Sequence, residues 1–246
     1  MPSARSTASL AATVAAGFGL MLLLPGCETT QDANARLLLR GDHTRASRLP
    51  VNVTTTDPNV KVLAADAVRG KDNGAIVVSL RNDGDTTATD LPIEVGVRSG
   101  GSETPLNAKG AEYYGENHAP ALPPGKGTTW VFPVAKAVPP GTAFARVGPP
   151  PAGAATPGDD LPEIQAELQN PLANSTLSVK ITNKSDIPQY DMGVYAVAKK
   201  GSSYVAAGEA TLEHLGSNGT ATVQVPVAGD GQGAQFQIFV TPTFFK

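Results

Sequence analysis

An internal duplication constrains the fold of this 246-residue chain more than any other feature. The strand-like segment Ala75–Asn82 (AIVVSLRN) returns 101 positions later as Thr176–Asn183 (TLSVKITN). The distance from that asparagine to a closing glycine, Gly100 or Gly201, is 18 residues in both copies. A period near 100 residues exceeds that of solenoid repeats and matches the size of one β-sandwich domain. We therefore expect the same folded unit twice.

The later part of each copy repeats at a shorter offset. Residues 122–135 (LPPGKGTTWVFPVA) correspond to residues 215–228 (LGSNGTATVQVPVA), which lie 93 positions further on. The offset falls from 101 to 93 because the first copy is eight residues longer between Gly100 and Leu122. The extra residues predict a longer loop in the first copy only.

The residues between turn signals indicate an all-β fold. Short runs rich in Val, Ile and Thr are separated by turn residues about every ten positions, and apolar and polar residues alternate from Leu177 to Thr182. The 26 glycines and 21 prolines, about a fifth of the chain, exclude a helical bundle. We predict two tandem immunoglobulin-like β-sandwich domains, residues 58–148 and 161–246, which a Pro/Gly-rich linker at 149–160 joins as hinged beads. Trp130 is interpreted as a core residue.

Each copy follows one order: a strand, an asparagine, a short polar turn, an apolar strand and then a turn before the closing strands, written Leu-Pro-Pro-Gly in the first copy. This pattern over residues 58–148 and 161–246 resembles the bacterial adhesion-related and FxLYD-type immunoglobulin-like modules of envelope proteins. The resemblance implies a structural or binding module that carries no family catalytic residues.

The N-terminus has the pattern of a lipoprotein signal peptide. Residues 1–26 contain one charged residue, Arg5, followed by an apolar run of about 15 residues, Leu10–Leu24, which is too short to span a bilayer. The run ends in Leu-Pro-Gly-Cys, which resembles the lipobox of bacterial lipoproteins and implies that Cys27, the only cysteine, is lipidated. We therefore expect a membrane-anchored lipoprotein on the extracytoplasmic side of the cell envelope, with a flexible tether at 27–57.

No residue pattern indicates catalysis. The three histidines (His43, His118 and His214) have no metal-ligand spacing, and no nucleophile or nucleotide-binding motif occurs. Residues from Asp83 to Glu94 partly match a calcium-binding loop, but Ala88 stands where that loop needs glycine, and a polar hairpin is the preferred interpretation. The net charge of −3 gives no basic surface for nucleic acid. We expect no metal, no cofactor and no enzyme activity.

The extra loop of the first copy contains the candidate binding residues Tyr113, Tyr114, Glu116 and His118. Tyrosines beside charged side chains are common in recognition loops, because aromatic rings give contact area at a low entropy cost. The alternative is that the two tyrosines cover an edge of the sandwich.

These observations predict a non-enzymatic envelope protein whose two modules bind a partner or act as a spacer. The lipid on Cys27 would attach it to the membrane, and an envelope protein or a cell-wall component would be its partner. The alternative is an accessory subunit or chaperone that holds an envelope partner at the membrane by pairing with an exposed edge strand.

Overall fold

The computed structural model describes residues 51–108, 117–152 and 161–242, and every regular element in these ranges is a β-strand. The first half of the chain contains β1 (Val60–Arg69), β2 (Gly74–Asn82), β3 (Ala88–Ser99), β4 (Ser102–Pro105), β5 (His118–Leu122), β6 (Gly127–Val134) and β7 (Thr142–Val147). The second half contains β8 (Ile164–Ala173), β9 (Thr176–Asn183), β10 (Gln189–Lys200), β11 (Ser203–Leu215), β12 (Thr220–Gly229) and β13 (Phe236–Val240). The all-β prediction is confirmed. The described residues form no helix long and apolar enough to span a membrane.

The two halves pair their strands in the same way. In the first half β1, β2 and β6 form one sheet, while β3 pairs with β4, β5 and β7 in the facing sheet. In the second half β8, β9 and β12 repeat the first group, and β13, β10 and β11 repeat the second. An extra pairing between β11 and β12 joins these groups into one six-stranded path. Sandwich packing buries Trp130, the expected core residue, at 1% exposure.

The duplication extends to strand register and backbone irregularities. Ile93 pairs with Val147 in the first half, and Val194 pairs with Val240 in the second. Asp90 and Asp191 have φ angles of 51° and 46°, so an unusual left-handed conformation recurs 101 residues apart. The two copies share a backbone as well as a sequence pattern.

The repeated asparagine explains why the turn after β2 and β9 is the same. The side-chain amide of Asn82 donates hydrogen bonds to the carbonyls of Thr86 and Leu122, each at 2.8 Å. The amide of Asn183 makes the corresponding bonds in the second half, at 2.8 and 3.1 Å. Each asparagine is at most 1% exposed. A buried amide that bridges two segments fixes the turn, because an unmatched polar group would be costly there.

The halves pack against each other through the outer face of the β1-β2-β6 sheet. On β2, Ile76 and Val78 point into the first half, and Val77 points the opposite way but is also 0% exposed. Ser79 lies on the same face as Val77, and its hydroxyl is 3.1 Å from the hydroxyl of Tyr204 in the second half. This face therefore contacts the second half.

Strand β10 supplies the matching surface. Tyr195 and Val197, together with Ala207 of β11, belong to the apolar cluster of the first half. Val194 and Ala196, which alternate with them, belong to the core of the second half. Because β10 is buried on both faces, the expectation of hinged beads is wrong.

The last residues of the predicted tether lie against the first half. Val51 is 3% exposed, the backbone N–H of Val53 donates to Glu94 at 2.9 Å, and the N–H of Asp57 donates to the carbonyl of Val147 at 2.8 Å. Residues 51–57 thus contact the sheet formed by β3 and β7.

A charge at Val77 tests the packing between the halves. Val77→Asp should lower the free energy of unfolding by roughly 3 to 5 kcal/mol, because it buries an uncompensated carboxylate between the halves. Ser178, its counterpart in the second copy, lies on a solvated face, so Ser178→Asp should change stability by less than about 0.5 kcal/mol. Urea unfolding of both variants measures the difference. Equal, small effects would mean that Val77 faces solvent and that the halves are separate.

Candidate functional site

The sequence-predicted binding residues are divided between the loop and its base. Tyr113, Tyr114 and Glu116, like Cys27, lie outside the described residues. His118 begins β5 and is 8% exposed. His118 therefore belongs to the buried base of the loop.

The loop interrupts a strand that is continuous in the second half. Strand β11 runs without a break from Ser203 to Leu215, whereas its counterpart in the first half is divided into β4 and β5. Both β4 and β5 pair with β3, at either side of residues 93–95 of that strand. The insertion therefore leaves a short stretch of the β3 edge without a neighbouring strand.

The side chain of Asn107 fills this gap. Its Nδ2 atom donates to the carbonyl of Ile93 at 2.7 Å, and its Oδ1 atom accepts from the N–H of Val95 at 2.9 Å. The same Nδ2 atom donates to Oδ1 of Asn117 at 3.1 Å. Asn107 is 2% exposed. One amide thus replaces the missing backbone partners of β3 and joins the two ends of the loop.

Asn117 and His118 hold the other end. The carbonyl of Asn117 accepts from the N–H of Ile93 at 2.8 Å, and Asn117 is 1% exposed. Nδ1 of His118 is 3.9 Å from a carboxylate oxygen of Asp90. These buried polar contacts bring residues 107 and 117 together on the rigid edge of a sandwich, so the loop between them leaves from a fixed base.

A network of ion pairs stabilises the same sheet beside the loop base. Arg146 bridges Glu94, at 2.8 Å, and Glu103, while Arg98 also pairs with Glu103, at 2.5 Å. The guanidinium carbons of Arg146 and Arg98 lie 4.8 and 5.6 Å from the centre of the Phe144 ring. Hydrogen bonds from Arg146 and then Arg98 lower the pKa of Glu103. The arrangement suits a structural brace, because each charge has an opposite partner.

The carboxylates of the partial calcium-loop match, Asp83 and Glu94, already have other partners. One carboxylate oxygen of Glu94 contacts Arg146, and the other accepts from the backbone of Val53. Asp83 pairs with Arg81 at 2.5 Å. Over the part of the chain that the structure describes, no three His, Cys, Asp or Glu side chains are grouped to hold a metal ion.

Two edge strands carry features that oppose pairing with another chain. Strand β8 has two register irregularities, between Leu168 and Ala173, and contains Pro171. Strand β6 contains Pro133. Bulges and prolines interrupt the regular row of donors and acceptors that an added strand needs.

Sequence reasoning identified the loop but not the residues that hold it. Asn107 and Asn117 stand among polar loop residues, and nothing in their local pattern separates a buried amide from a solvated one. The available signal was indirect, since the eight-residue insertion falls inside a segment that forms one strand in the other copy.

Comparison with known proteins adds little to this geometry. No family model and no curated protein matches the chain. Among solved structures, the crystal structure of red sea bream transglutaminase is similar at 12% sequence identity, with a TM-score of 0.20. The match covers 79% of this chain and 32% of that one, so the chain spans about a third of that structure. A likeness at this TM-score supports no conclusion about fold or activity.

Removing the amide of Asn107 tests the loop base. Asn107→Ala should lower the free energy of unfolding by about 1 to 3 kcal/mol, because it leaves buried backbone groups of β3 without partners. The amide of Val95 should then exchange faster with solvent. Asn170→Ala, which removes an exposed amide from β8, serves as the control and should have almost no effect. Unchanged exchange at Val95 in the Asn107 variant would contradict this account of the base.

Proposed function

We propose that the chain is a lipid-anchored cell-envelope protein in which two tandem immunoglobulin-like sandwiches present the loop at residues 106–117 to an envelope partner, without catalysis. The observation that carries the proposal is the paired burial of Asn107 and Asn117, which hold an insertion present in one copy only.

The loop base supports a binding role because it takes the place of regular strand pairing that the second half retains. The second half shows that this fold closes with a continuous β11 and needs no insertion at this point. In the first half, the buried side-chain amide of Asn107 and the backbone carbonyl of Asn117 replace this part of the regular ladder. Loops on a rigid scaffold commonly carry binding residues, and paired tyrosines give contact area with little loss of entropy.

The proposed membrane anchor depends on Cys27 and the residues that follow it. Because Val51 is buried against the first half, 23 residues (28–50) separate the proposed lipidated cysteine from the folded part. At about 3.3 to 3.6 Å per residue, the upper limit for the span of 23 residues in any conformation is roughly 80 Å. That reach would allow the loop to meet a partner beyond the membrane surface.

We prefer loop recognition to edge-strand pairing for the partner contact. Pro133 of β6, and Pro171 and the register irregularities of β8, disfavour an added strand at these two edges. The loop, in contrast, has a base of its own and residue types suited to contact.

A double substitution in the loop tests the binding role. Tagged Tyr113→Ala/Tyr114→Ala protein should lose a stoichiometric partner that the wild type captures from envelope extract, while its melting temperature stays within about a degree, as for exposed positions. Lys180→Ala/Lys184→Ala, on the polar face of the second half, is the matched control and should retain the partner. If the tyrosines cover a sheet edge instead, the double variant should melt several degrees lower.

Removing the sulfur of Cys27 tests the anchor. The Cys27→Ala protein should lack lipid and move from the detergent phase to the aqueous phase in Triton X-114 partition, because acyl chains supply about 0.8 kcal/mol per buried methylene. Mass spectrometry of the wild-type N-terminal peptide should detect the added diacylglycerol. A variant that stays in the detergent phase would show that another segment is the anchor.

A further inference from the structure

The surface between the two halves contains a carboxylate, Glu209. In β11, Glu209 is half-buried, follows Ala207 by two residues and lies directly opposite Tyr195 of β10. Both neighbours are at most 1% exposed and belong to the apolar cluster shared with the first half. Side chains directly opposite in an antiparallel pair share a face, so Glu209 lies on the face of β11 that packs against the first half.

The polar surroundings of Glu209 are sparse. The hydroxyl of Thr211 donates to its carboxylate at 3.3 Å, and no Lys, Arg or His of the described residues forms an ion pair with it. The register places these titratable groups on the two apposed faces: Asp191, Tyr195, Lys199, Tyr204 and Glu213 from the second half, and Lys61, Asp66 and Arg81 from the first.

The cations on these faces have other partners. The ammonium of Lys199 lies 4.2 Å from the centre of the Tyr204 ring, and the guanidinium of Arg81 pairs with Asp83. Lys61 donates to the carbonyl of Pro58 at 2.8 Å. The charge of an ionised Glu209 would therefore be poorly compensated while the halves are in contact.

Burial raises the pKa of Glu209 from its ordinary value of 4.5 to about 7, and the hydrogen bond from Thr211 opposes this rise. The folded pKa lies above the unfolded one, so the neutral acid is the form that the closed interface favours. The packing between the halves is then strongest below about pH 4.5 and weakens as the pH rises to about 7.

We propose that the contact between the halves is a pH-dependent clasp, which is closed when Glu209 is neutral and loosens when Glu209 ionises. Separation of the halves lets water solvate the carboxylate, so ionisation and opening favour each other. Opening changes the direction of the first half, with its loop, relative to the second. The clasp does not depend on the proposed binding function.

Hydroxyl-radical footprinting of the full chain tests the clasp. Oxidation of peptides that contain Tyr195, Tyr204 and Phe239 should rise several-fold between about pH 5.5 and about pH 8.5 in the wild type, since these rings pack between the halves. In Glu209→Gln protein, which has a neutral side chain of similar shape, oxidation should stay at the low level at both pH values. Glu167→Gln, at an exposed position of β8, should behave as the wild type does.

Two results would overturn the proposal. The first is that oxidation of these rings in the wild-type protein does not change with pH. This result can be read without any variant. The second is the same pH-dependent rise in Glu209→Gln protein, which would assign the effect to another group. Trp130 fluorescence in each sample confirms that the first half remains folded during the measurement.

Discussion

Two strands that are buried on both faces hold this protein together. Val77 of β2 and Tyr195 of β10 lie on opposite sides of one interface, and each is fully buried although its strand also faces a core of its own half. Burial of apolar surface is the main favourable contribution to folding. The halves therefore stabilise each other, and the base of the loop and residues 51–57 have fixed positions on the first half.

The two copies of the fold differ in where they contribute to this packing. The second half keeps an unbroken β11, which supplies Ala207 to the interface and carries Glu209 beside it. The first half carries the insertion held by Asn107, on the sheet that faces away from the interface. The corresponding strands of the two copies thus differ: one contributes to the contact between the halves, and the other is interrupted by a loop.

Much of the fold was predictable because duplication repeats the turn residues. The offsets of 101 and 93 align Asn82 with Asn183 and locate the insertion correctly. The contact between the halves was missed, although a signal was present: the strand beginning Ala75-Ile-Val-Val is continuously apolar, whereas its counterpart after Thr176 alternates. A continuously apolar strand indicates burial on both faces. The loop base could not be predicted, because hydrogen bonds of Asn107 to β3 depend on tertiary structure.

Equilibrium unfolding in urea, read by hydrogen exchange in each half separately, tests the central claim most directly. Peptides from β2 and β6 report on the first half, and peptides from β9 and β12 report on the second. At about pH 5.5, where Glu209 is neutral and the contact between the halves is closed, both sets should lose protection at the same urea concentration, as in a cooperative two-state transition. Two well-separated midpoints would contradict the account, because each sandwich would then unfold without its neighbour.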